Sequence, residues 1–314
     1  MTISVVLTTY NGRKYLKDQM DSLAGQSRPA DEVIILDDDS TDETVPMIQQ
    51  YIRENHLSGW RLIRHETNQG WKKNFTEGFD LAAGDLIFPC DQDDIWYPDK
   101  IERMESCMQE HPELEMLAGN YTIFFSEKDQ GHGSQKYREN GRKMKSDGSL
   151  VVPDLDPRWP YILRPGCVTC FRKSFYEAIR GAWDVSYAYD AILWRYARMD
   201  HALGILNIPV IQFRRHGDNA TSYAVRTVNS RVETFQEYII FHQIAEKRVK
   251  SDKDRIILRK GIIFLQERIR FFRTKSFPIW LKLALCYQPY YLSFSGCLGD
   301  LYYVYLGNRK RNSK

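Results

Sequence analysis

The residues best suited to chemistry are acidic and stand in two short clusters. Asp91-Gln92-Asp93-Asp94 follows the apolar run Asp85–Pro89. Two carboxylates one residue apart at a strand end can both face a cleft, where Asp91 and Asp93 would hold a hard divalent ion that keeps positions open for phosphate oxygens. A solvated acidic turn ahead of the helix that Pro98 starts would use the same tetrapeptide. Asp37-Asp38-Asp39 follows a second apolar run, Glu32–Leu36. Part of it reads as a helix cap with Ser40-Thr41-Asp42. Three adjacent acids repel one another, however, so at least one needs a hydrogen-bonding task, and the imide N–H of a nucleotide base is a natural donor.

The elements that position these clusters alternate along the chain. Ile3–Thr9 is a buried-type strand closed by the turn signal Tyr10-Asn11-Gly12, and Tyr15, Leu16, Met20, Leu23 and Ala24 then recur at helical spacing. Val45, Ile48 and Ile52 mark a second helix, Trp60–Ile63 a third strand and Gly70–Ala83 a third helix. The strand Asp85–Pro89 precedes a helix with Ile101, Met104 and Met108 inward. Strand–helix alternation with apolar strands predicts an α/β fold around a mostly parallel sheet. In such sheets ligands sit beyond the carboxyl ends of the strands. Thr8-Thr9-Tyr10-Asn11, Asp37-Asp38-Asp39 and Asp91-Gln92-Asp93-Asp94 should therefore converge on one rim.

Farther along, residues 126–150 read as a polar loop, while Trp159–Arg164 and Gly166–Phe171 read as strand fragments. Asp184–Asp200 is amphipathic and helical, and Leu203–Phe213 is a long strand closed by Arg214-Arg215-His216-Gly217-Asp218-Asn219. From about Ala224 the pattern is helical. This divides the chain into residues 1–223, a catalytic domain, and residues 224–314, a helical extension. Within the C-x-x-C pair, Cys167 and Cys170 lack the second pair that a structural zinc needs, so two buried thiols are expected. Trp96, Trp159 and Trp183 could stack on sugars but more often pack.

Composition narrows the partners. The 314 residues are 43% hydrophobic and 27% charged, which excludes a disordered chain, and six cysteines without a secretory start suit a reducing compartment. The formal net charge is +3, yet residues 245–314 carry 16 Lys and Arg against 5 Asp and Glu, which leaves residues 1–244 at −8. An acidic body makes nucleic acid a poor partner. The basic tail holds a run without charges, residues 283–299, interrupted by Gln288-Pro289 and by Ser and Gly. It is too broken to span a bilayer. With Lys282, Arg309-Lys310-Arg311 and the tyrosines 287, 290, 291, 302, 303 and 305, it suits an anionic membrane surface, packing on the catalytic domain or a homodimer interface.

The chain resembles the inverting family 2 glycosyltransferases of the GT-A fold. The matching pieces are Ser4-Val-Val-Leu-Thr-Thr-Tyr-Asn11, Ile34-Ile-Leu-Asp-Asp-Asp-Ser-Thr-Asp42, Asn68-Gln-Gly70 with Asn74, Gly84-Asp-Leu-Ile-Phe88 and Asp91-Gln-Asp-Asp-Ile-Trp-Tyr-Pro-Asp-Lys100. Their order and spacing fit over roughly residues 3–219, and the form of the last run is similar to a bacterial rhamnosyltransferase branch. Thr8 stands where the family often has Pro, and Asp39 where it has a small residue.

The resemblance implies a Rossmann-like sheet flanked by helices and a metal-dependent transfer of sugar from a nucleoside-diphosphate donor, dTDP-rhamnose or a UDP-sugar. The acceptor would be a hydroxyl of a glycan or lipid-linked saccharide in cell-surface polysaccharide biosynthesis. Donor contacts fall to Thr9, Tyr10, Asp38, Lys73, Asp91 and Arg215. Mn²⁺ or Mg²⁺ falls to Asp91, Asp93 and His216. Asp190, at a helix start where it would also act as a cap, is the implied catalytic base. The expected location is cytoplasmic, on the inner face of the cell membrane. A dehydrogenase is excluded because Thr8-Thr-Tyr-Asn-Gly12 is not a Gly-x-Gly-x-x-Gly loop, and a nucleotidylyltransferase because no Gly-rich, Arg-containing loop follows the first strand. A catalytically inactive carbohydrate-binding relic of the same fold would be expected to lose Asp91, Asp93 and Asp190, and all three are present.

Overall fold

A computed structural model describes residues 1–125, 144–184, 186–216 and 227–305. Most of the polar loop at 126–150, the segment Gly217–Asn219 and the basic cluster Arg309-Lys310-Arg311 lie outside the described residues. The chain divides into two compact units. The first comprises Met1–Pro153, Leu163–Ala197 and Ala202–Ser222; the second comprises Asp154–Ile162, Arg198–His201 and Tyr223–Lys314.

Among the described residues the first unit is built on a sheet of nine strands: β1 (Ile3–Thr9), β2 (Glu32–Asp37), β3 (Trp60–Arg64), β4 (Leu86–Cys90), β5 (Ile95–Trp96), β6 (Met116–Phe125), β7 (Leu150–Val151), β8 (Thr169–Arg172) and β9 (Leu203–Arg215). The order is β3-β2-β1-β4-β8-β6-β9-β5, with β7 also on β9. Strands β1, β2, β3, β4, β6 and β9 run one way; β5, β7 and β8 run against them. The sheet is thus mostly parallel, as the alternation predicts.

All seven residues of β1 are buried, because both sheet faces are covered. Helix α1 (Arg13–Ala24) contributes Leu16, Met20 and Leu23 to the core that holds Ile3, Val5 and Leu7. On the other face α3 (Trp71–Leu81) lies so close that a Cβ at Gly78 would overlap Val6 and Leu36. Helices α2 (Thr44–Glu54), α4 (Lys100–Glu110), α5 (Lys173–Arg180) and α6 (Tyr189–Met199) complete the described helices of this part of the chain.

The register aligns the functional edge. Thr9 pairs with Asp37 and Leu7 with Cys90, so β1, β2 and β4 end side by side. Strand β9 runs in the same direction and ends at Arg215. Strand β5 pairs antiparallel with β9, Ile95 opposite Gln212, and ties the acidic loop to that strand.

Several sequence expectations need correction. Trp159–Arg164 forms turns rather than a strand, because Trp159 is buried with its indole N–H on His242 Nε2 at 3.1 Å. The helix expected from Pro98 begins at Lys100, with Asp99 at the N-cap. Of the expected Ser40-Thr41-Asp42 cap, Asp42 accepts from Thr44 N at 3.0 Å at the start of α2, while Glu43 takes the N-cap position and the Ser40 hydroxyl is committed to Asp37 at 2.6 Å.

The second unit is helical: α7 (Val228–Arg248), α8 (Asp252–Thr274), α9 (Phe277–Cys286) and α10 (Phe294–Tyr305). Its core gathers Phe235, Phe264, Leu265, Phe271, Phe272 and Leu283 around a buried ion pair. Arg268 grips Asp300 through two hydrogen bonds of 2.8 and 2.9 Å, with the guanidinium against Phe235 and Tyr291. The uncharged run breaks at a 3₁₀ turn, Gln288–Tyr290. Among the described residues no helix is long and apolar enough to cross a membrane.

Candidate active site

The end of β2 is a set of satisfied carboxylates. Asp37 accepts hydrogen bonds from Thr9 Oγ1 (2.8 Å), Ser40 N (2.9 Å) and Ser40 Oγ. Asp38 accepts from the backbone N–H groups of Gln69 (2.7 Å) and Gly70 (2.9 Å). It thereby holds the turn into α3, where Gly70 has φ 85°. Asp39 also has positive φ, 65°, and lies 3.8 Å from Arg64. Thr9 is buried and its hydroxyl serves Asp37, whereas Tyr10 is exposed.

The end of β4 is different. Asp91, Asp94 and Cys167 bring their carboxylate and thiol atoms within 4.8 Å of one another. Asp94 is buried; one oxygen accepts from the backbone N–H of Arg214 at 2.9 Å, and the other has no hydrogen-bond partner. Burial and the neighbouring charge of Asp93 push Asp91 up to about 7, with Asp190 adding to the rise. Burial pushes Asp94 and Cys167 well up too. Beneath them the Lys100 ammonium is fully buried, 2.7 Å from the Cys167 carbonyl and 3.3 Å from the Trp96 ring centre. Burial lowers it to about 8.

Asp93 points elsewhere than Asp91. Its Oδ2 lies 2.7 Å from His216 Nε2, and the imidazole packs on Tyr15 with ring centres 4.6 Å apart. The structure joins Asp93 to His216 and places Asp91 in the inner cluster with Asp94. Arg215 lies over Phe213, 4.7 Å from the ring centre.

Asp190 sits in the first turn of α6 and accepts from Ala191 N at 2.8 Å. Burial raises it above the usual carboxylate range, against the pull of Arg195 and Lys72. Lys73 is exposed on α3; its neighbour Lys72 donates instead to the Ser186 carbonyl, just ahead of α6.

Besides Asp94, Cys167 and Lys100, three more residues of the site are absent from the sequence-based set. Arg214 donates to the Asp93 carbonyl (2.7 Å) and to Asp18 (2.8 Å), so it locks the acidic loop to α1. Gln92 accepts from Tyr10 N (2.9 Å) and donates to Tyr10 O (3.1 Å). Trp71 is 42% exposed and meets the Tyr189 ring edge-on at 6.3 Å. A pair of arginines at a strand end signals Arg214. An indole directly after the Asn68-Gln69-Gly70 turn is the sequence signal for Trp71. Trp96, Trp159 and Trp183 are all buried and offer no face to a sugar.

The fold agrees with what known proteins share with the chain. The model of Glycosyl transferase family 2 matches residues 4–177. The chain belongs to this family. The poly(ribitol-phosphate) beta-N-acetylglucosaminyltransferase TarS of Staphylococcus aureus is 25% identical over 310 residues, covering 96% of this chain and 49% of TarS. A crystal structure of TarS residues 1–349 with UDP-GlcNAc superposes with a TM-score of 0.65 at 19% identity, over 97% of this chain and 81% of that one. The putative teichuronic acid biosynthesis glycosyltransferase TuaG of Bacillus subtilis is 34% identical over 108 residues, 34% of this chain and 42% of TuaG. The family 2 chain spans about half the length of the curated relatives it matches. A mannosyltransferase from Pyrobaculum calidifontis, solved with GDP-Man and Mn²⁺, shares the fold with a TM-score of 0.54 at 15% identity, over 96% of this chain and 84% of that one.

Proposed function

We propose that the chain is an inverting, metal-dependent glycosyltransferase that moves a sugar from a pyrimidine-nucleoside-diphosphate donor to a hydroxyl of a saccharide. The observation that carries this reading is the grouping of Asp93–His216, Asp91 and the raised Asp190 at one end of the sheet. UDP-GlcNAc bound to TarS supports a UDP-sugar, and the resemblance to rhamnosyltransferases keeps dTDP-rhamnose in the donor panel. The names of TarS and TuaG support a polymer of the cell surface as acceptor.

The rim fits a hard divalent ion. Asp93 Oδ2 and His216 Nε2 converge in a hydrogen bond of 2.7 Å, and an ion would take the place of the proton they share. Cys167 is unsuited to such an ion because burial keeps its thiol protonated. Mn²⁺ or Mg²⁺ would be held by Asp93 and His216 with Asp91 behind them, and when bound it supplies positive charge to the leaving diphosphate.

In this reading Asp38 keeps the α3 turn in place and offers its remaining lone pairs to the base imide N–H. Tyr10 covers the base, and Arg215 and Lys73 lie toward the phosphates. Asp190 takes the proton from the acceptor hydroxyl as it attacks C1; burial makes its carboxylate a stronger base. Trp71 gives the acceptor ring an apolar face to rest on.

A panel of nucleotide sugars, read by protection against thermal unfolding with and without Mn²⁺, tests the donor assignment. A metal-dependent rise with UDP- or dTDP-sugars is expected. No rise with any nucleotide sugar would sink the reading.

A further inference from the structure

The tail tyrosines that suggest a membrane from sequence alone are mostly inside the second unit. Tyr290 and Tyr291 are buried, their hydroxyls on the Ile257 carbonyl (3.1 Å) and Asp300 (3.1 Å). Tyr287 stacks on Phe264. Of the six, Tyr302 and Tyr305 are exposed, together with apolar residues. On α9, Phe277, Leu281 and Leu285 recur every four residues, and on α10, Phe294, Leu298 and Tyr302 do the same, with Tyr305 one turn on. All seven are exposed, Leu285 by 74%. Residues at this spacing share one side of a helix. The two stripes meet in a cavity of about 390 Å³ lined by Phe277, Leu298, Leu301, Tyr302 and Tyr305. The Tyr305 hydroxyl donates to the Lys275 carbonyl and fixes that end.

Charge decides between occupants. From Lys275 to Tyr305 the only acidic residue is Asp300, and it is buried against Arg268. The exposed charges bordering the stripes are Lys275 and Lys282, the second also paired with Glu267 at 2.9 Å. Residues 275–305 carry Lys275 and Lys282 against Asp300 alone, and a second copy would set those lysines against each other. An anionic bilayer meets both the apolar stripes and the lysines.

We infer that the paired faces of α9 and α10 form a shallow membrane-docking surface, with leucine and phenylalanine side chains entering the acyl boundary and lysines at the headgroups. This goes beyond the transfer chemistry and is read without turnover.

The test is flotation of the full chain with phosphatidylglycerol–phosphatidylcholine vesicles against pure phosphatidylcholine. Binding to the anionic vesicles is expected. A Leu285→Glu/Leu298→Glu variant should bind at least about tenfold more weakly, since each leucine is worth more than 1 kcal/mol when buried. Lys275→Gln should weaken binding about fivefold. It leaves the apolar stripes intact and serves if the double variant fails to fold, which its melting curve reveals. No binding to anionic vesicles at low salt, or equal binding by folded variants, overturns the inference. So does a dimer of the wild-type chain that the double variant separates while vesicle binding persists.

Discussion

At the end of β2, Asp37 and Asp38 receive five hydrogen bonds from backbone and hydroxyl donors. Two strands away, at the end of β4, Asp91 and Asp94 face each other and a thiol, and one Asp94 oxygen has no partner. Both clusters come from three acids in a four-residue stretch, and both lie at the same rim. Donors quench repulsion in the first and turn its acids into a shelf that holds the β1–α1 loop and the α3 turn. In the second the repulsion is left standing, so protons, or a bound cation, must balance it. With three acids in each run, the supply of donors and not the number of carboxylates separates the two clusters.

The largest expected effect lies at the residue whose charge adds to the second cluster. Asp190→Asn keeps the shape and cannot accept a proton, so turnover should fall by about 10²–10⁴-fold while donor affinity holds. Kinetics beside calorimetric binding checks this, and loss of both together would return Asp190 to a structural role. Next, Asp37→Ala should cost about 2–4 kcal/mol in urea unfolding, because charged hydrogen bonds to Thr9 and Ser40 vanish. Asp94→Asn should cost far less, since it retains the acceptor for Arg214 N and relieves repulsion. Equal losses would erase the contrast between clusters.

Asp93→Ala should remove the effect of Mn²⁺ on nucleotide affinity; a Kd that still responds to EDTA argues for other ligands. The smallest effect is a proton. Asp91 titrates near 7 when folded and at 3.8 ordinarily. Between those values the folded chain holds a proton that the unfolded chain has lost, so this group's contribution to stability declines as pH rises through that window. A cation requires the carboxylate, so Mn²⁺ and nucleotide together should release up to about one proton near pH 6. Weakly buffered titration with an indicator dye measures it, and no release would place Asp91 outside the metal's reach.

Much of this arrangement is legible in the sequence. Strands β1, β2 and β4 are apolar runs ending in polar clusters, so the rim follows from a parallel sheet, and Asp190 falls in the first turn of a helix as expected. What escapes is what tertiary pairing decides. Strand β6 holds Gly119-Asn120 midway, which reads as a turn; in the sheet a Cβ at Gly119 would overlap Val210, and Asn120 accepts from Arg164 Nε at 2.8 Å. The separation of Asp91 from Asp93 depends on β5 pairing with β9, a contact across more than a hundred residues. Arg214 and Arg215 are equivalent in sequence, and only the pleat sends Arg214 inward.

Gly12 gives the rim one more property. A Cβ there would overlap Gln92, so the missing side chain lets the Gln92 amide lie against Tyr10 and mimic a neighbouring strand. The loop after β1 and the loop after β4 are thus stitched into a single piece. Anyone retuning donor choice by exchanging loops must carry both across as a set; a transplant of either alone leaves half a seam, with an amide that has nothing to grip.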